Sequence, residues 1–469
     1  MAHPLGAISI VSEASPPPSP TARQQVRDNA VKVSPPTPMT ALSNSPPPTV
    51  RPVESRTAPT TGIQKLRLLS TCMMGFGNGL NDSVPGALIP YMEDHYSISY
   101  AIVSLIFVTN AIGFIAAAPL TDLVEQRLGR GRAYILAEAL MGAGYVIIIC
   151  TPPYPLVVLS FLLIGLGEGM DLAFNNVFCA NYGNGTTALG FLHGSYGLGG
   201  TVGPLIGTAI ASSGTIWSRF YAVAIAIVAI NAAFAGWTFW NYETPQPRHQ
   251  ANESISLEIG TERNAGEAPV TQPSNRQLLN TALKSPVTIL GALFIFAYQG
   301  AEVSISGWVI SFLVNTRHGD LSSVGYVTAG FWGGITVGRL LISPIAFRIG
   351  ERISVAVLVL GSLAFQLVVW FVPSIVGNAV AVAIIGLLLG PVYPCAMAVF
   401  CRVLDPSLQL TSLGFVSGAG SSGGAVAPLV TGLVAQKKGT WVLHPICVGL
   451  YGGMVGAWCL LPRGKKREE

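Results

Sequence analysis

Charge is scarce in this chain. Lys, Arg, Asp and Glu make up 10% of its 469 residues and half of all residues are hydrophobic, with a mean hydropathy of +0.54. Soluble proteins carry about 25% charged residues, so a water-exposed globule is excluded and an integral membrane protein is indicated. No Gly-Lys-Ser/Thr phosphate loop occurs, which argues against an ATP-driven pump. No nucleophile–base pair stands out, so the chain is not expected to be an enzyme. The seven cysteines (Cys72, Cys150, Cys179, Cys395, Cys401, Cys447 and Cys459) fall within apolar runs. None has zinc-ligand spacing, so neither a metal site, a cofactor nor a disulfide framework is expected. No nucleic-acid partner is expected either. The N-terminal region lacks the charged, apolar and cleavage segments of a secretory signal, and the first span is expected to direct its own insertion.

What is present in quantity is apolar sequence, in twelve runs. They lie at about 66–91, 99–121, 132–151, 155–179, 187–213, 217–240, 286–314, 322–347, 352–373, 376–402, 410–435 and 440–462. Each is long enough to cross the ~30 Å hydrocarbon core as a helix. Residues 1–62 are dense in Pro, Ser, Thr and Ala and read as a disordered tail. Residues 63–240 and 285–462 form two halves of six spans, joined by the polar stretch 241–284 and followed by a charged tail, 463–469. The fold expected is an all-α membrane protein of twelve transmembrane helices in two pseudo-symmetric bundles. The 53 glycines suit close helix packing in lipid.

Basic residues give the orientation. With the N-terminus inside, Arg127, Arg130, Arg132, Arg348, Arg352, Arg402 and the basic residues of the 241–284 loop and C-terminal tail are cytoplasmic. Only Arg219, Arg317, Lys437 and Lys438 fall outside. Both termini are therefore expected in the cytoplasm, most simply at the plasma membrane, and the protein is expected to act as a monomer.

The fourth span is unusual. Glu168, Asp171 and Asn175 are spaced i, i+3, i+7 and share one helix face. A charge facing lipid costs at least ~2.5–3.5 kcal/mol, so this face, with Asn176 beside it, is expected to line a wet cavity enclosed by the other helices. In span 1, Asn78, Asn81 and Asp82 precede Pro85. The proline has no N–H, so the Asn81 carbonyl loses its helical partner beside Asp82. In span 7, Tyr298, Gln299 and Glu302 lie within one turn of each other and Trp308 follows. Amides and acids suit hydroxyl-rich ligands; Trp308 is read either as a stacking surface or as packing. Tyr393, Asn110 and His193 are further candidates. Asp82, Glu168, Asp171 and Glu302 have no Lys or Arg at similar depth by sequence, since Arg339 and Arg402 are placed near the cytoplasmic ends. Desolvation disfavours their charged forms, and Glu168 and Asp171 are expected to titrate as one coupled pair. Such groups suit proton coupling. Glu138, nearer the cytoplasmic end, is read as structural.

The halves repeat each other. Leu189-Gly-Phe through Gly199-Gly200, Pro204 and Leu205 is echoed without a gap by Leu413-Gly-Phe through Gly423-Gly424, Pro428 and Leu429. A duplicated six-plus-six bundle is the architecture of many secondary transporters, with the substrate site between the halves. The loop Ala118-Pro-Leu-Thr-Asp122 to Arg127, Arg130 and Arg132 resembles the cytoplasmic gate motif of the major facilitator superfamily. Pro119 stands where a glycine is usual, and the Asp-to-Arg spacing is stretched. Gly338-Arg339 belongs to its counterpart. Gly199-x-x-x-Gly203-Pro204-x-x-Gly207 resembles a span-5 pattern of the superfamily's antiporters. Asn78 to Asp82, the acidic span 4, and Tyr298 to Trp308 are most similar to the fucose-permease-like sugar:proton symporter branch. The resemblance covers residue 62 to the end. It implies alternating access driven by protons, with a sugar-like solute as substrate; proton antiport exporting a metabolite or drug is the alternative. Asp122, Arg130, Arg132, Gly203, Pro204 and Arg339 would serve in gating.

Overall fold

The computed structural model describes residues 62–183, 185–242, 275–405 and 408–462. The N-terminal tail, most of the 241–284 stretch and the charged tail 463–469 lie outside the described residues. Among the described residues there are helices and turns and no strand. The first six long helices are α1 (Gly62–Tyr96), α2 (Tyr100–Leu128), α3 (Arg130–Ile149), α4 (Tyr154–Ala180), α5 (Gly185–Ser212) and α6 (Trp217–Thr238). The second six are α7 (Pro286–Asn315), α8 (Leu321–Ile349), α9 (Glu351–Phe371), α10 (Ile375–Val403), α11 (Gln409–Lys438) and α12 (Thr440–Leu460). Ten are long and apolar enough to cross a membrane. The remaining two, α1 and α5, have the length but carry the Asn/Asp and glycine clusters noted above. Large apolar side chains such as Leu341, Ile349, Val376 and Leu460 are mostly exposed, as a lipid-facing surface requires.

The two halves repeat at the level of single atoms. A Cβ on Gly199 of α5 would fall 1.9 Å from the Phe76 carbonyl oxygen of α1, and one on Gly423 of α11 would fall 2.0 Å from that of Phe296 in α7. Small residues therefore bring α5 onto α1, and α11 onto α7, in backbone contact. The turns repeat too. Gly129 and Gly350 open the connections α2–α3 and α8–α9 with φ of 78° and 114°. Gly214 and Gly439 do the same for α5–α6 and α11–α12, at 80° and 94°. Only glycine takes these left-handed values freely.

The seam between the halves is closed at one end. There the Tyr100 N–H donates to Gln436 Oε1 at 3.1 Å, and Gly86 of α1 lies against the Ser306 carbonyl of α7. At the opposite end, which carries Arg130 and Arg348, the space between the halves runs out to exposed Leu340 and Phe347.

Candidate functional site

A cavity of about 650 Å³ lies between the halves, walled by α1, α2, α4 and α5 on one side and α7, α8, α10 and α11 on the other. Its N-terminal wall holds a carboxyl pair. The contact between Gly79 and the Tyr196 carbonyl presses α5 onto α1, and the Tyr196 hydroxyl donates to Asp82 Oδ2 at 2.6 Å. Asp82 and Glu168 face each other across the gap between α1 and α4, with Asn110 of α2 beside Glu168. Asn78, Asn81 and Asn176 complete this wall.

The C-terminal wall is built differently. Glu302 of α7 meets Arg339 of α8, with Nη2 and Oε1 3.9 Å apart. Tyr298 lies beside both, and its ring stands 5.8 Å from that of Tyr393. Arg339 sits in a single π-helical turn, Gly338–Ile342, within α8. Pro344 follows it, cannot donate to the Leu340 carbonyl, and so relaxes the regular ladder there. Trp332, whose Nε1–H donates to Ser306 Oγ at 2.8 Å, and Gln299 lie on the same wall. Several polar atoms on the cavity make no hydrogen bond to the described residues: Asn81 Oδ1, Asn110 Oδ1, Glu168 Oε2, the Tyr298 hydroxyl and Arg339 Nε. Buried polar groups are normally satisfied, so these are poised for a ligand or water that donates and accepts.

Several expectations from sequence need correction. Arg339 lines the cavity beside Glu302, so Glu302 does have a cation at its depth. Asp171 and Asn175 are fully buried and do not line the cavity. Asn175 Oδ1 accepts from the Tyr134 hydroxyl at 3.0 Å, and Asp171 faces Glu138 of α3. Glu168 therefore pairs with Asp82 rather than with Asp171. Trp308 is 1% exposed and donates to the Pro428 carbonyl at 3.0 Å. Stacked edge-on against Tyr100, it seals the closed end and does not reach the cavity.

The gate residues are also placed otherwise than the motif suggests. Asp122 is exposed and pairs with no described residue. Arg130 is 2% exposed, bound to Glu125 at 2.7 Å and to the Phe174 carbonyl at 3.0 Å, all within the N-terminal half. Arg132 stacks over Trp240 at 5.1 Å. Gly203 packs against Leu80 and Ser83 of α1, and Pro204 lies inside α5. Tyr196 and Trp332 were not singled out by sequence. For Trp332 a pattern existed: Trp332, Thr336 and Arg339, at i, i+4, i+7, all line the cavity.

A model of the Major Facilitator Superfamily matches residues 71–466. The chain is 27% identical over 436 residues to Bypass of stop codon protein 6 of Saccharomyces cerevisiae, covering 89% of this chain and 86% of that one. It is 20% identical over 353 residues to the Glucose/mannose transporter GlcP of Bacillus subtilis, covering 74% and 82%. A crystal structure of the nucleoside transporter NupG superposes with a TM-score of 0.65 at 15% identity, covering 85% of this chain and 100% of that one; at that identity it shows the fold alone.

Proposed function

The chain belongs to the Major Facilitator Superfamily, and from that premise we propose that it carries a small neutral polyol of the hexose class by alternating access, in symport with a proton. The observation that carries this reading is the Asp82–Glu168 pair, opposed across one cavity to Gln299, Trp332 and the Arg339–Glu302 pair. Two facing carboxyls cannot both ionise cheaply and hold a proton between them. Unpartnered amide and hydroxyl groups match the alternating donors and acceptors of a sugar. The indole of Trp332 offers an apolar surface for a sugar ring. The Bacillus subtilis relative is a glucose/mannose transporter, which supports a hexose. Rocking of the two halves about the closed seam would alternate access to the site.

We read the protein as a plasma-membrane monomer with both termini and the 241–284 loop in the cytoplasm, so that the cavity opens inward. The alternative, proton antiport exporting a metabolite, has the Gly199–Gly203–Pro204 pattern in its favour. Those glycines lie on the backbone of α1, where they serve packing under either reading. The test uses purified protein in proteoliposomes, an imposed pH gradient, acid outside, and radiolabelled D-glucose, with D-mannose and L-fucose alongside. Accumulation is expected, and Glu168→Gln or Asp82→Asn should abolish it while leaving exchange of labelled for unlabelled sugar. No gradient-driven uptake of any of the three sugars would overturn the symport reading.

A further inference from the structure

A second pair of carboxyls lies apart from the cavity. Glu138 of α3 and Asp171 of α4 face each other inside the N-terminal half, 1% and 0% exposed. Neither lines the cavity, and all four of their oxygens lack a hydrogen-bond donor among the described residues. Two ionised carboxylates in contact, dry and without a cation, would be prohibitively costly. The nearby cation Arg130 is committed to Glu125 and the Phe174 carbonyl. Glu168, one turn earlier on α4, is a further acid that bears on Asp171; the remaining groups facing the pair are neutral: Tyr134 and Tyr145 on α3, Asn78 on α1 and Asn231 on α6. Asn231 adds an independent observation. It lies beside Glu138, is 2% exposed, and its acceptor Oδ1 has no donor. A proton held between the two carboxyls supplies one of the hydrogens that these acceptors lack.

We propose that Glu138 and Asp171 form a proton-binding site separate from the substrate cavity, with Asn78 as the link between them. Asn78 borders the cavity and lies beside Asp171 without a hydrogen bond to it, so it is the one amide placed to couple the Asp82–Glu168 wall to the inner pair. In the bound form one carboxyl O–H donates to the other carboxylate. Loss of that proton leaves two facing anions, which disfavours the packing of α3 on α4. The inner pair is thus a protonation device of the N-terminal half that the solute does not touch. It stands whether or not the solute is a sugar.

The test needs no substrate. Infrared difference spectra of the purified, detergent-solubilised protein are recorded between acid and alkaline pH. The read-out is the carbonyl stretch of neutral carboxylic acids, and its shift in heavy water. Wild type should show this band, Glu168→Gln should retain the part due to the inner pair, and Glu138→Gln/Asp171→Asn should lose that part. The single variants Glu138→Gln and Asp171→Asn, each isosteric, should each shift and weaken that part if the double variant does not fold, because the acid left behind has lost its carboxyl partner. A wild-type protein without the band, or a band unchanged in both single variants, would overturn the proposal. Sugar flux can fail while this result holds, which keeps the two readings separable.

Discussion

The Tyr196 hydroxyl donates to Asp82 Oδ2 at 2.6 Å, joining α5 to α1 on the wall of the cavity. A hydrogen bond contributes about 0.5–1.5 kcal/mol, and this one fixes the carboxyl of Asp82 on the wall. Tyr196→Phe keeps the ring, and with it the edge-on contact to Trp332 at 6.0 Å. Gradient-driven uptake is expected to fall about tenfold, the equivalent of ~1.4 kcal/mol, with normal amounts of protein in the membrane. Uptake equal to wild type would show that the bond is idle in transport.

Glu302 and Arg339 are expected to behave as a unit. Arg339→Gln leaves a buried carboxylate without its cation, and the loss should be about 1–3 kcal/mol of stability. Removing both charges in Glu302→Gln/Arg339→Gln should restore part of it, since no charge is then stranded. Thermal melting of the four purified proteins measures the coupling. Additive losses would mean that the 3.9 Å approach is not an interaction.

Packing at the repeat glycines allows no side chain. Gly199→Val and Gly423→Val each place a Cβ about 2 Å from a carbonyl oxygen of the facing helix, a clash that only helix separation relieves. Overpacking costs 1–3 kcal/mol or more, and both variants are expected to aggregate on size-exclusion chromatography. Gly449→Val meets nothing within 4 Å and should run as the parent does.

At the basic end the contribution of Arg130 is structural in the arrangement seen, and that of Asp122 is not. Arg130→Gln removes the ion pair to Glu125 and the bond to the Phe174 carbonyl and should lower the melting stability by about 1–3 kcal/mol. Asp122→Asn should leave melting unchanged and slow transport, if its partners are met only when this end closes. Unchanged flux in Asp122→Asn would remove it from the gate.

Orientation is open to a chemical test. In a protein whose native cysteines are replaced by serine, Ser254→Cys should resist an impermeant thiol reagent in intact cells and react after permeabilisation. Rapid labelling of intact cells would invert the assignment of the cavity's opening.

What the sequence determined by itself was the set of helices, their duplication and the acids that have to be enclosed. Apolar run length and the scarcity of charge leave little choice once lipid is the solvent. The superfamily was legible for the same reason, through glycines that sit in backbone contacts and tight turns. Rotation of each helix about its axis was not legible. On α4, Glu168, Asp171 and Asn175 do share a face, yet at about 100° per residue that face straddles a boundary. Leu172 and Asn176 turn roughly 40° and 80° to one side of Glu168, into the cavity; Asn175 and Asp171 turn roughly 20° and 60° to the other, into the bundle. Periodicity gives the width of a polar stripe but not which neighbour each edge meets. That was decided by the contacts of α4 with α2 and α3, where Gly165 meets the Asn110 carbonyl and Gly167 that of Ala137. Arg339 teaches the same point along the axis: sequence placed it near a helix end, and packing of α8 with its π-helical turn brought it level with Glu302.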